Sequence, residues 1–172
     1  MKRTDEQAQT QCSHGTPLPC LPPRRPLRLP ALYDDVVPLY FISFNTHHRQ
    51  PVLARPEVHD AFVDFCRKAE GFRVRVGGYV LMPDHVHLLV MMPEKTRQAL
   101  NAWIKSLKSV LGKRLLVLGF EKPHWQEGFF DHVLRSDESY CDKRRYILQN
   151  PVRADLCQSA EGWPYQGEIV AL

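Results

Sequence analysis

Residues 73–91 read Arg73-Val-Arg-Val-Gly-Gly-Tyr-Val-Leu-Met-Pro-Asp-His-Val-His-Leu-Leu-Val-Met91. The stretch to Leu81 begins with strand-like alternation, Pro83-Asp84 supplies a turn, and His85–Met91 returns as the second arm of a hairpin. In a strand, residues i and i+2 project from the same face. His85 and His87 therefore point one way, and Val86 points into the opposite layer. Two imidazoles on one face at that separation can share a metal ion. Two histidines around an apolar residue also occur as plain structural or surface residues, so the spacing alone leaves both readings open.

Working outward, Leu39-Tyr-Phe-Ile-Ser-Phe-Asn45 is rich in aromatic and β-branched residues and reads as a buried strand. Pro56 can open a helix, Val58, Phe62, Phe65, Cys66 and Ala69 have helical spacing, and Gly71 is the expected stop. A second helix is predicted from about Thr96 to Leu118. Its apolar stripe is Leu100, Trp103, Ile104, Leu107, Val110, Leu111 and Leu115, with Lys105, Lys108, Lys113 and Arg114 largely off it. Phe129–Leu134 reads as a fourth short strand. Ser136 is a candidate N-cap for a third helix over Asp137–Gln149, stopped at Asn150-Pro151. The residues after Pro151 read as loop and tail, with Trp163-Pro164 near the end.

Strand–helix–strand–strand–helix–strand–helix predicts an α+β domain over residues 39–172, built on a ferredoxin-like antiparallel four-stranded sheet with helices packed on it. Residues 1–38 differ in texture. Seven of the fourteen prolines fall between Pro17 and Pro38, and proline excludes helix and central strand. This segment reads as an extended arm, either a tail or a basic strap carrying Arg24, Arg25 and Arg28.

A chain of 172 residues with 44% hydrophobic and 24% charged residues has the makeup of an ordinary globular domain. No apolar run reaches the length of a membrane span, and the polar start lacks the apolar stretch of a secretory signal, so a cytoplasmic protein without membrane contact is expected. Five cysteines without a Cys-x-x-Cys pair argue against a zinc knuckle or disulfide framework and favour reduced thiols. A net charge of +4 is compatible with a phosphate-rich partner and requires none.

Tyr146 and Asn150 stand four apart on the third helix, hence on one face and one turn from each other. A hydroxyl nucleophile and an amide oxygen thus sit side by side. Taken singly, Tyr146 also fits a core tyrosine and Asn150 a helix cap before proline.

The two segments together resemble the HUH superfamily of single-strand nucleases, and more closely the REP-associated tyrosine transposases. The resemblance runs from Arg24 onward through Arg-Leu-Pro-Ala-Leu-Tyr-Asp at 28–34 and Met-Pro-Asp-His-Val-His at 82–87. It continues through Trp-Gln-Glu-Gly-Phe-Phe-Asp-His at 125–132, Tyr-Ile-Leu-Gln-Asn-Pro-Val-Arg-Ala at 146–154, and Trp163-Pro164. The length of the proline-rich extension before Arg24 departs from the family pattern. The resemblance implies that His85 and His87 ligate a divalent metal, Mg²⁺ or Mn²⁺, that Asn150 is the amide-type third ligand, and that Tyr146 is the nucleophile. It also implies the HUH nuclease fold with a central histidine strand, and single-stranded or hairpin DNA as the substrate of a transposase. A monomer is favoured over a dimer, because members with this Asn-Pro-Val segment and tryptophan-proline tail can take tyrosine and histidines from one chain.

Arg144, Arg145 and Arg153 cluster beside Tyr146, and Lys105 and Lys108 ride on the second helix. All five are candidates for holding DNA phosphates. Trp125 could stack an unpaired base, whereas Trp103 reads as core. Tyr140 shares an apolar stripe with Ile147 and reads as core; His132 either faces the site from the fourth strand or, the favoured reading, is a satisfied structural histidine, and Asp84 could orient a histidine, though its turn role after Pro83 suffices. Two other functions fit parts of the pattern: a metal-dependent nucleotide hydrolase, and a domesticated DNA-binding module without turnover. The histidine-triad version of the former wants a third histidine where this chain has Leu89.

Overall fold

The structure is a computed structural model that describes residues 37–93, 96–134 and 140–172. The proline-rich arm up to residue 36, and the candidate cap Ser136 with the start of the helix it would open, lie outside the described residues.

Five strands form one antiparallel sheet: β1 (Leu39–Asn45), β2 (Arg75–Leu81), β3 (His85–Met91), β4 (Phe130–Val133) and β5 (Gln166–Glu168), ordered β4-β1-β3-β2-β5. The histidine strand β3 is central, between β1 and β2. The expected sheet is present with one strand more than expected. Three residues, one of them Gly167, carry no alternation to read, and β5 is instead brought to β2 by Trp163 Nε1, which donates to Leu81 O at 3.0 Å, and by Leu81 N, which donates to Tyr165 O at 2.8 Å.

Two helices cover one face. α1 (Pro56–Ala69) buries Val58, Phe62, Cys66 and Ala69, and α2 (Arg97–Val117) buries Leu100, Ile104, Leu107, Leu111 and Leu115. They pack on Ile42, Phe44, Val86, Leu88 and Val90 in the main core. Thr96 caps α2 by accepting a hydrogen bond from Ala99 N at 3.2 Å. Gly71 does not end α1. The helix tightens into a turn over Glu70–Phe72, and Arg73 takes the left-handed conformation (φ 61°) that reverses the chain.

The other face is covered by α3 (Tyr140–Leu148), whose Ile147 is buried with Phe41, Val80, Met82 and Leu89. α3 ends at Leu148, as the stop at Asn150-Pro151 predicts, but the chain does not pass at once into the expected loop. After Gln149 it continues as α4 (Asn150–Arg153), because proline tolerates the first helical turn, where its missing N–H has no partner to lose. Within β2 the register slips by one residue between Val76 and Tyr79, at Gly77-Gly78. A Cβ on Gly78 would stand 3.0 Å from Arg144 Cγ, and one on Gly77 2.8 Å from the Tyr140 hydroxyl, so the two glycines let α3 lie close to the sheet.

Cys66 and Cys157 are free thiols, Cys66 buried with its pKa driven up by desolvation. Cys141 is disulfide-bonded, which departs from the expectation of reduced thiols. Among the described residues no helix is long and apolar enough to cross a membrane.

Candidate active site

The strand period does place both histidines on one face. His85 and His87 lie opposite Asn45 and Ser43 of β1, on the side covered by α3, with ring centroids 4.7 Å apart. His85 Nδ1 is 2.6 Å from Asp84 Oδ1. An Nδ1–H donated to this carboxylate leaves Nε2 as the lone-pair nitrogen of His85. His87 Nδ1 is buried and has no hydrogen-bond partner. Burial first, then the charges of His85 and Arg49, push the His87 pKa down to about 3. Its imidazole is therefore neutral at pH 7, the form that can bind a cation.

α3 brings Tyr146 to the same place. Its ring centroid lies 6.3 Å from that of His87 and 6.2 Å from that of Phe41, and the residue is 42% exposed. Phe41 itself stacks on His87 at 5.4 Å. Asn150 sits one turn on, where its Nδ2 donates to Tyr146 O at 2.7 Å and Ile147 O at 3.3 Å. With the amide nitrogen spent on the helix, the oxygen is the group left to receive a cation. Among the described residues no cluster of three or more His, Cys, Asp or Glu side chains could hold a metal ion. The two histidines would need a donor of another type, and the amide oxygen of Asn150 is of a suitable kind. The neutral imidazole and orphaned Nδ1 of His87, with the Nε2 that Asp84 leaves on His85, fit a divalent ion.

The five candidate phosphate contacts separate in space. Arg153, carried on α4, places its guanidinium 5.4 Å from the Tyr146 ring centroid. Arg145 is on the surface, 3.5 Å from Asp142. Arg144 is drawn to β5, with Nε and Nη2 each 3.1 Å from Glu168 Oε2. The Tyr140 hydroxyl donates to the other oxygen of Glu168, so Tyr140 is a half-buried tether of α3 and not a plain core residue. Lys105 and Lys108 lie on α2, across the sheet from the histidines, in a groove of about 610 Å³ with Lys113, Lys122 and Phe129. Lys108 donates to the carbonyls of Gln126 (3.2 Å) and Gly128, and burial lowers its pKa. Trp125 is held by Lys108 O at 2.9 Å and packs on Phe44, which commits its ring to the fold.

Several residues around the site escaped the sequence reading. Phe41 and Lys143, whose ammonium is 5.3 Å from the Phe41 ring, form its wall. Arg49 reaches Asp84 Oδ2 at 2.9 Å, and Asn45 bonds Gln126 at 3.1 Å. The strand alternation that paired His85 with His87 also puts Phe41 on their face; nothing local in the sequence marks Arg49 or Gln126.

The family model described as "Transposase IS200 like" matches residues 39–150. A Haemophilus influenzae protein named as a candidate REP-associated tyrosine transposase is 25% identical over 138 residues, spanning 74% of this chain and 77% of that protein. A solved structure of a REP-associated tyrosine transposase bound to a REP hairpin superposes with a TM-score of 0.57 at 21% identity, covering 76% of each chain. The structure of a candidate transposase from Deinococcus radiodurans superposes with a TM-score of 0.48 at 23% identity, covering 65% of this chain and 90% of that one.

Proposed function

This chain belongs to the IS200-like transposase family, and we propose that it is a metal-dependent single-strand DNA endonuclease and strand transferase in which Tyr146 is the covalent nucleophile. The observation that carries this reading is the meeting, on one sheet face, of a half-exposed tyrosine with two histidines that share a side of β3. His85, His87 and the Asn150 oxygen would hold Mg²⁺ or Mn²⁺. A divalent ion there supplies polarisation of a non-bridging phosphate oxygen and neutralisation of developing charge.

The rest is the work of the chain. The Tyr146 oxygen attacks phosphorus in line, forming a tyrosyl–phosphate bond while the bond from phosphorus to the 3′-oxygen breaks. The phenol loses its proton and the departing 3′-oxygen gains one. The product is a 5′-phosphotyrosine, and because one phosphoester replaces another, a second strand's 3′-hydroxyl can reverse the step. An unperturbed phenol has a pKa of about 10, so its proton must leave as the bond to phosphorus forms; the Arg153 guanidinium lies over the ring. Arg153, over the Tyr146 ring, and the surface Arg145 would hold phosphates of an incoming strand, with Arg144, Lys105 and Lys108 acting farther from the nucleophile. The hairpin DNA bound by the structural relative makes hairpin-flanked single strands the substrate to try, cut by one chain acting alone.

The test incubates labelled hairpin DNA bearing an unpaired flank with protein and Mg²⁺ or Mn²⁺, then looks for a covalent adduct on a denaturing gel. The same sequence as continuous duplex should give none, and chelation should abolish the adduct. Equal cleavage of duplex, or adduct formation in chelator, would sink the proposal.

A further inference from the structure

The turn after β1 places two consecutive residues that are not glycine, His48 and Arg49, in the left-handed region, at φ 50° and 56°. That conformation is uncommon for such side chains and persists only where surrounding contacts enforce it. Here the enforcement is visible. Thr46 is fully buried, its N donates to Asp84 O at 2.9 Å, and its hydroxyl lies 2.9 Å from Gln50 O and 3.0 Å from Asp84 O. Leu53 N donates to Pro83 O at 2.9 Å. The turn is thus bound along its length to the Pro83-Asp84 turn that precedes the histidine strand.

The outcome of this geometry is the direction of one side chain. Arg49 folds back so that Nε donates to Asp84 Oδ2 at 2.9 Å and Nη1 donates to Asn45 Oδ1. Asn45 is itself the cross-strand partner of His85. Asp84 uses its other oxygen, Oδ1, on His85 Nδ1. A continuous relay therefore runs from Arg49 through Asp84 to His85. The planar guanidinium can satisfy two acceptors at fixed angles, which an ammonium on a flexible stem does not reproduce.

We infer that Arg49 is a positioning residue of the histidine pair: by gripping Asp84 and Asn45 it fixes the carboxylate on His85 Nδ1, so that the imidazole presents Nε2 to a divalent cation. The inference rests on the proposed metal-dependent reading, and it accounts for a strained turn that the packing of the sheet does not itself require. Carboxylate partners behind ligating histidines typically change metal affinity by about 10–100-fold.

The test uses Arg49→Gly, which removes the side chain and suits the left-handed backbone, together with Arg49→Lys and Asp84→Asn. Mn²⁺ affinity is measured by calorimetry without DNA, and the His85 tautomer by ¹⁵N NMR of the metal-free protein. Arg49→Gly should melt no lower than the native protein and yet bind Mn²⁺ about 10-fold or more weakly; Arg49→Lys should not restore affinity. In the Asp84→Asn background, Arg49→Gly should have little further effect. The native protein should hold His85 with its proton on Nδ1, and Arg49→Gly should populate both tautomers. A loss of stability with unchanged affinity, rescue by lysine, or full additivity with Asp84→Asn would overturn the inference. If the native protein binds no Mn²⁺, the metal-dependent reading fails, while the tautomer measurement still decides whether Arg49 positions His85.

Discussion

Tyr146 lies between an aromatic edge contact to Phe41 and the guanidinium of Arg153, and its ring needs no hydroxyl to make either. Tyr146→Phe should therefore leave stability within about 0.5 kcal/mol, as for a half-exposed side chain outside the core, and remove the DNA adduct entirely. Tyr140→Phe should keep the adduct, at some cost in stability from the lost bond to Glu168. An adduct surviving Tyr146→Phe would reassign the nucleophile. His87 makes a second prediction. Its folded pKa is pushed to about 3 against an ordinary 6.5, so above pH 6.5 both states are neutral and nothing is gained or lost. Below 6.5 the unfolded chain takes up the proton first, and stability falls as pH drops toward 3. Between pH 7.5 and 5.0 the metal-free protein should lose on the order of 1–2 kcal/mol from this group, read as a lower urea midpoint. His87→Gln should flatten the trend; an unchanged slope in that variant would show that His87 is not its source. At this scale the shared face of His85 and His87 was legible in the sequence, because period-2 geometry depends only on nearby residues, and the resemblance pointed to Tyr146 beside them. Arg49 was not, since its role arises from a turn that meets Asp84 far along the chain.

The glycine pair in β2 shows how one element sets the placement of another. Gly77 faces the Tyr140 hydroxyl and the side chain of Leu172, whose Cδ1 would be 2.7 Å from an added Cβ. Gly77→Ala should displace α3 and cost about 1–3 kcal/mol, measured by urea unfolding, with slower adduct formation because Tyr146 moves with its helix. Unchanged stability would mean that α3 does not press on this strand. The long elements were readable in advance. The stripes of α1 and α2 alternate at helical spacing over several turns, and the strands β1 and β3 carry aromatic and branched residues in unbroken runs. β5 was not readable, because its three residues pair through partners supplied by Trp163 and Tyr165. The end of α3 was readable at Asn150-Pro151; the short α4 was not, because a proline that closes one helix also fits the first turn of the next. The partners of Arg144 and Lys108 within the fold, Glu168 and the loop carbonyls of Gln126 and Gly128, were not readable, because they come from distant parts of the chain.

On the scale of the molecule the sheet is covered unequally. α1 and α2 bury an extended core on one side, while on the other the buried set is Phe41, Val80, Met82, Leu89 and Ile147. The side that carries the histidines is thus covered by α3 over the smaller of the two buried clusters. Regions joined to a fold by few apolar contacts open at a lower free energy than the whole. Tyr146, the nucleophile of the proposed reaction, rides on this more lightly packed side, and α3 is expected to open before the rest of the fold. Amide hydrogens of α3 should exchange with deuterated solvent sooner than those of α2, and hairpin DNA should slow exchange in α3, since a ligand held by the closed form suppresses opening by mass action. Equal protection of α2 and α3 in the free protein would contradict this. On the proposed chemistry, a helix that lifts and resettles would give a 5′ end joined to Tyr146 a hinge of its own: the tethered strand could leave the histidines and another take its place without the molecule unfolding or letting go.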